Sequence, residues 1–308
     1  MKKVFNLFAV FLSILLASTS YAGPVISIVA GFPAGTGHDL VARQLAYDLN
    51  QVGQYEFIVE NRPGAGGQIA VVNVSTLPDS AAPKLLIFTN TLYVNSFVTK
   101  KFDANTVHLL KPVSFIGNVP LILNVSNNQN IHSIKDLKTH STRLKAGTGG
   151  LGSIPEISSL YLASQLGLAI DNIPYSGQNG AFVDLSSGQL DIVIDYYKSS
   201  LPFIESGRVR PIAVTGNKRL DKLPNLATFK EQGLDWPLDA FFVLYASKNI
   251  DPVLLANLRK QIVHILQTNS KSYQQLGLTL HNSHNLDIEQ FHRDMSIKYQ
   301  MIKLPIKE

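Results

Sequence analysis

The sequence predicts an α/β protein of two lobes, and three observations carry that expectation. Short β-branched runs alternate with helical patterns from residue 25 to residue 246, the signature of helices packed on a largely parallel sheet. A unit of strand, glycine-rich turn and helix occurs near residue 31 and again near residue 147, so the alternation runs as two series. The chain is 308 residues long, more than one minimal core needs and enough for two of ordinary size.

At the N-terminus Met1, Lys2 and Lys3 precede an apolar run over 4–17 and then Ser20-Tyr21-Ala22, the order of a secretory signal peptide. Asn6 and Ser13 interrupt the run, which is shorter than the ~20 apolar residues of a membrane span. Cleavage is expected after Ala22, leaving 286 residues (308 − 22). Losing Lys2 and Lys3 takes the formal charge from +5 to +3. The remaining Lys and Arg are scattered, which is no nucleic-acid footprint. Cysteine is absent, which excludes disulfide staples, thiol catalysis and thiolate metal ligation.

The first series opens with a strand over 25–30, a glycine-rich turn over 31–37, and a helix from Asp39 whose Val41, Leu45, Leu49 and Val52 share one face. Strands follow over 57–60, 85–89 and 113–116, with short helices over 68–75 and 92–100. The second series begins with a strand over 121–125. Ser133, with Asp136 three residues on, resembles a capping box. A strand over 144–146, a second glycine-rich turn, a helix over 154–166, a strand over 172–174, a helix over 182–187 and strands over 192–194 and 210–215 complete it. Residues 218–237, with Pro224, Gly233 and Pro237, read as loop with one short helix around Phe229. A strand over 241–246 leads back to the first lobe.

Two helices close the chain. Asp251 caps one that Pro252 begins, with Leu255, Leu258, Ile262 and Ile265 on one face. Asp287 caps the other, which carries Ile288, Phe291, Met295 and Ile302. The expected division is therefore a signal peptide over 1–22, a first lobe over 23–123 and 246–308, and a second lobe over 124–245, joined by strands that cross twice.

The turns carry the candidate chemistry. Residues 31–39, Gly-Phe-Pro-Ala-Gly-Thr-Gly-His-Asp, sit between a strand and a helix, where free backbone N–H groups and the helix dipole suit an anion. Thr36 adds a hydroxyl. The third glycine of a dinucleotide fingerprint is missing. Gly147, Thr148, Gly149, Gly150, Leu151, Gly152 and Ser153 repeat the geometry in the second series, without the Gly-Lys-Ser/Thr of a phosphate loop. Arg62 follows Glu60 and Asn61, and reads more readily as a structural partner of Glu60 than as a carboxylate clamp. Tyr175 offers a hydroxyl or an aromatic wall.

Enzyme signatures are missing: eight histidines include no His-Glu-x-x-His, and there is no Gly-x-Ser-x-Gly. His281 and His284, three apart, lack nearby carboxylate or cysteine ligands. Asp191 and Asp195 flank one strand, where capping or hinge hydrogen bonding suits either. No catalytic residue, metal or cofactor is expected. The alternative class is an exported hydrolase of a small ester or amide.

Phe32-Pro33-Ala34-Gly35 with Asp39 and Ala42-Arg43, then residues 59–67, Val-Glu-Asn-Arg-Pro-Gly-Ala-Gly-Gly, the 147–153 loop, Tyr175-Ser176-Gly177, Gly188-Gln189-Leu190-Asp191 and Leu223-Pro224 with Gly233 stand in the order seen in one family. Across nearly the whole mature chain the sequence resembles the tripartite tricarboxylate transporter substrate-binding receptors, the Bug family. The resemblance implies a class II periplasmic-binding-protein fold whose two lobes close over a carboxylate held largely by main-chain N–H groups and waters. It implies a monomer in the periplasm that delivers its ligand to the integral-membrane transporter subunits or to a sensor. It also places Asp39 at the pocket, in orientation and ligand choice. The expected ligand-binding set is Phe32, Ala34, Gly35, Thr36, Gly37, His38, Asp39, Gly147, Thr148, Gly149, Gly152, Ser153, Tyr175 and Asp195.

Overall fold

The structure, a computed structural model, describes residues 24–53, 55–93, 105–140, 143–150, 152–175, 178–236, 238, 240–280 and 287–301. The expected signal peptide, Ser176, Gly177, His281, His284, Ile302 and most of the expected 92–100 helix lie outside these residues.

Strands β1 (Val25–Ala30), β2 (Glu56–Asn61) and β3 (Lys84–Thr89) run parallel. Helices α1 (Gly37–Asn50) and α2 (Gln68–Ser75) connect them. Val41, Leu45 and Leu49 of α1 are buried as the 3.6-residue period requires, whereas Val52 lies past the helix end and is 43% exposed. After a short helix, α3 (Asn105–His108), β4 (Lys111–Val119) ends this series. Pro120 separates it from β5 (Leu121–Ser126), which belongs to a second sheet.

In the second series α4 (Ile134–His140) starts as the sequence predicts. Asp136 receives an N–H bond from His132 while its own amide donates to Ser133 Oγ, at 3.0 and 3.2 Å. There follow β6 (Arg143–Thr148), α5 (Ile154–Leu166), β7 (Ala169–Pro174), α6 (Gln178–Ser187), β8 (Ile192–Tyr196), α7 (Tyr197–Glu205) and β9 (Val209–Val214). The chain returns as β10 (Ala240–Ala246) and closes with α8 (Pro252–Thr268), α9 (Ser270–Gln275) and α10 (Ile288–Met301). Asp251 and Asp287 cap α8 and α10 as expected, each accepting two backbone N–H bonds.

The two five-stranded sheets have orders β2-β1-β3-β10-β4 and β7-β6-β8-β5-β9. They are the same order written twice. In each, three parallel strands are followed by an antiparallel strand that arrives from the other series, β10 in the first and β5 in the second. This exchange is the double crossing. It occurs at Pro120 and between Val214 and Ala240, so the sheets place all of β5 with the second lobe and all of β10 with the first. The expected divisions at 123/124 and 245/246 fall inside those two strands.

Two local expectations change. The segment around Phe229 is a hydrogen-bonded turn, with the Gln232 amide bound to the Thr228 carbonyl at 3.2 Å, rather than a helix. Phe229 stacks on Trp236 at 4.2 Å and anchors the loop. Helix α7 has no counterpart in the sequence reading. Its Pro202 reads as a breaker, yet buried Tyr197, Ser200 and Leu201 hold the helix on the sheet.

Candidate ligand-binding site

Because β1, β2 and β3 are parallel, the turns that follow them, including 31–36 and 62–67, leave the same edge of the first sheet. The turn over 31–36 is fastened there by side chains. Asp39 is 2% exposed, and its oxygens accept from the Gly35 amide (2.8 Å), Arg43 Nε (3.0 Å) and Asn61 Nδ2 (2.9 Å), with the Arg43 terminal nitrogen also at 3.0 Å. Asn61 donates as well to the Phe32 carbonyl (3.1 Å), which ties the turn to the end of β2. Burial opposes ionisation of Asp39, but Arg43, the Gly35 amide and Asn61 outweigh it and hold the pKa below the usual carboxylate value. The four contacts suit the clamp of the turn.

The first α-helical bond of α1 runs from the Leu40 amide to the Thr36 carbonyl (2.9 Å). The N–H groups of Gly37, His38 and Asp39 therefore precede the helix's own hydrogen bonds, the situation that makes a helix start attractive to an anion. Two expected donors are used otherwise. The Gly35 amide goes to Asp39, and the Thr36 hydroxyl donates to the Pro33 carbonyl at 2.7 Å. Ala34 is exposed, while Phe32 is half-buried and packs on His38 with ring centroids 4.2 Å apart.

His38 is 3% exposed and enclosed by Phe32, Phe88 (5.9 Å) and Phe242 (5.0 Å). Its Nε2 has no hydrogen-bond partner. Desolvation lowers its pKa to about 3, so the ring is neutral at physiological pH. The backbone can come this close only because the neighbouring turn is glycine: a Cβ on Gly67, at φ +89°, would stand 2.6 Å from the Phe88 ring.

The second sheet presents the matching edge, since β6, β7 and β8 are also parallel. The Gly152 amide donates to Glu156 Oε2 (2.6 Å), and the Glu156 amide donates to Ser153 Oγ (3.4 Å). Pro155 has no N–H. Gly147 is packed so tightly that a Cβ would lie 2.6 Å from Leu190 and 2.8 Å from Ala181, whereas Gly149 has room, with Ser153 at 3.4 Å. Tyr175 turns its hydroxyl onto Asp184 Oδ2 at 2.5 Å. Thr148 and Asp195 are buried at the ends of β6 and β8, and none of Thr148 Oγ1, Asp195 Oδ1 and Asp195 Oδ2 has a partner. Asp191 is structural, accepting from the Lys145 amide at 2.7 Å.

The two edges meet. Tyr196, next to Asp195, lies 6.2 Å from Phe242 of β10 in a stacked arrangement, and Thr89 at the end of β3 lies close enough to influence its hydroxyl. Phe242 in turn touches His38 and lies 3.6 Å from a Cβ placed on Gly37. Phe242 thus links His38 at the start of α1 to Tyr196 at the end of β8. Arg62 is paired with Glu60, which also binds Lys84 at 2.9 Å. Sequence reasoning did not find Phe88, Tyr196, Phe242 or Gln178, because apolar and amide side chains carry no motif. Asn61 and Arg43 were visible only as members of a pattern.

The chain matches the family described as "Tripartite tricarboxylate transporter family receptor" over residues 41–306. Protein BugT of Bordetella pertussis is 28% identical over 275 residues, covering 83% of each chain. The UPF0065 protein in the TAR-I ttuE-ttuC' intergenic region of Agrobacterium vitis is 27% identical over 281 residues, 86% of this chain and 80% of its own. Among solved structures, R. palustris Rpa4515 with adipate superposes with a TM-score of 0.79 at 25% identity, covering 91% of this chain and 94% of that one. MatC from Rhodopseudomonas palustris with bound malate gives 0.80 at 19% identity, covering 91% and 97%, a likeness of fold. Among the described residues no helix is long and apolar enough to cross a membrane. With the duplicated sheets and a family match that spans both, the chain belongs to the tripartite tricarboxylate transporter receptor family.

Proposed function

We propose that this protein is a periplasmic receptor, monomeric, that captures a small carboxylate-bearing metabolite between its lobes and delivers it to tripartite tricarboxylate-type membrane subunits or to a sensor. The observation that carries the reading is the start of α1, where the amides of Gly37, His38 and Asp39 stand ahead of the first helical bond at an edge facing the second lobe. A carboxylate docked there meets several N–H donors and the positive end of the helix dipole without needing an arginine. Family membership and the adipate and malate held by the two structural relatives support the same ligand class. They favour the receptor over an exported hydrolase.

A ligand that touches both edges stabilises the closed arrangement, because an open one offers it only half the contacts. A thermal-shift screen of the mature protein against mono-, di- and tricarboxylates tests the reading. At 100 times its Kd a true ligand stabilises by about 2.7 kcal/mol, and small-angle scattering then shows a smaller radius of gyration. Absence of stabilisation by any acid at millimolar concentration overturns it.

A further inference from the structure

The C-terminal edge of the second sheet carries three side chains whose polar atoms the protein leaves without partners. Asp195, near the end of β8, is 0% exposed, and neither Oδ1 nor Oδ2 is hydrogen-bonded. Gln178, the first residue of α6, buries both Oε1 and Nε2 without a partner. Thr148, the last residue of β6, is 1% exposed and leaves Oγ1 unbonded. Strands β6 and β8 are adjacent and parallel, with Gly147 paired to Val193, so Thr148 stands level with Ile194, and Asp195, one residue on, shares the Val193 face of the sheet. Gln178 lies close enough to Asp195 to influence its ionisation.

Buried polar groups are hydrogen-bonded as a rule, and each exception calls for a reason. Here two of the exceptions, Asp195 and Gln178, are neighbours. Ser199 does not resolve them, because its hydroxyl donates to the Tyr196 carbonyl at 3.1 Å. Burial raises the Asp195 pKa to about 6 against weaker pulls from Ser199, the Tyr196 amide and Gln178, none of which reaches the carboxylate in hydrogen-bond geometry. Among the described residues no cation pairs with it.

We infer that this recess selects a ligand that carries a hydrogen-bond donor, a hydroxyl or an ammonium, in addition to its carboxylate, with Asp195 as the accepting group. The inference rests on the receptor reading above and adds which acids the receptor prefers. A second carboxylate placed against Asp195 would face like charge in a desolvated setting. A hydroxyl or ammonium there satisfies the acid, and Gln178 can donate or accept to fix its orientation. The cleft is then dipolar: N–H donors on the first lobe, acceptors on the second.

The test is calorimetric titration with matched acids: succinate against malate and aspartate, glutarate against 2-hydroxyglutarate and glutamate, adipate against 2-aminoadipate. A site built to bond a ligand donor discriminates strongly against the analogue that lacks it. The expected result is at least roughly tenfold tighter binding of a donor-bearing member in the series that fits the cleft, falling to within about twofold in Asp195→Asn. Equal affinities across every series in the wild type overturn the inference while leaving the receptor reading intact, as does a preference that survives Asp195→Asn. If no acid of any series binds, the receptor reading itself fails. The wild-type comparison decides even if the variant does not fold.

Discussion

At the start of α1 the Gly35 amide donates to Asp39, four residues on, and at the start of α5 the Gly152 amide donates to Glu156, also four residues on. From that shared device the two helix starts diverge. Asp39 is buried and adds Arg43 and Asn61, which keep it ionised; Glu156 is half-buried, and desolvation moves its pKa up against the Gly152 amide. The backbone differs in the same sense. The first turn of α1 keeps the amides of Gly37, His38 and Asp39 ahead of its hydrogen-bond ladder, whereas in α5 Pro155 lacks an N–H and the Glu156 amide is taken by Ser153. A helix start becomes an anion site only when its own caps leave the donors over, and the sequence patterns of the two turns do not display that difference.

The largest effect should come from cutting the device on the side where it is anchored. Asp39→Ala removes the acceptor of Gly35, Asn61 and Arg43 at once, and a loss of about 2–4 kcal/mol is expected, since hydrogen bonds to charged groups contribute about 1.5–3 kcal/mol. Glu156→Gln keeps an acceptor for Gly152 and sheds a desolvated acid, so its cost should stay below about 1 kcal/mol. Urea unfolding of both variants measures the gap, and equal losses would remove the distinction between the two caps. Glycine substitution sharpens it on the second lobe. Gly147→Ala drives a Cβ to 2.6 Å from Leu190 and should cost about 1–3 kcal/mol by overpacking. Gly149→Ala meets only Ser153 at 3.4 Å and should leave stability within about 0.5 kcal/mol.

The comparison extends to pH, because each lobe holds a fully buried ionisable group beside its turn, His38 in the first and Asp195 in the second, that burial shifts toward its uncharged form. His38 falls from 6.5 to about 3 on folding, so between those values the unfolded chain binds more protons and stability drops as pH falls. Asp195 rises from 3.8 to about 6, so between those values the folded chain binds more protons and stability drops as pH rises. From about pH 4 to 6 the two slopes oppose. Relative to wild type, His38→Leu should gain stability on acidification through that window by up to about 1.4 kcal/mol per pH unit, and Asp195→Asn should lose a similar amount. Urea midpoints across the window check both signs.

Much of the architecture was legible because its determinants are periodic: the buried face of α1, the ten strands and the capping aspartates at 251 and 287 all follow from spacing. Helix α7 had no counterpart in the sequence reading, and a turn around Phe229, stacked on Trp236, stands where a helix was expected, because tertiary contacts overrode local preference. The glycine turns were legible as places and not as donor inventories. No pattern announces that the Thr36 hydroxyl goes to Pro33, that the Tyr175 hydroxyl goes to Asp184, or that His38 sits among Phe32, Phe88 and Phe242. Those outcomes depend on residues from distant segments, as with the Asn61 bond to Asp39 across 22 positions.

The two threonines of the two turns give the finest version of the comparison. Thr36 is half-exposed and its hydroxyl already donates to the Pro33 carbonyl at 2.7 Å, so removing it costs one local bond and takes nothing from a ligand. Thr36→Val should lower stability by about 0.5–1 kcal/mol and leave affinity within about twofold. Thr148 is buried with Oγ1 unbonded. Replacing an unsatisfied hydroxyl by a methyl of the same shape is neutral or favourable for the fold, so Thr148→Val should hold or raise the melting temperature of the unliganded protein. Thr148 stands level with Ile194, on the other face of the sheet from Asp195, so ligand affinity should stay within about twofold. Melting curves with and without the acid that binds best separate the two variants. A Thr148→Val protein that loses affinity about fivefold or more would mean that the Thr148 hydroxyl turns to the ligand, and the second lobe would then hold it through Thr148 as well as Asp195 and Gln178.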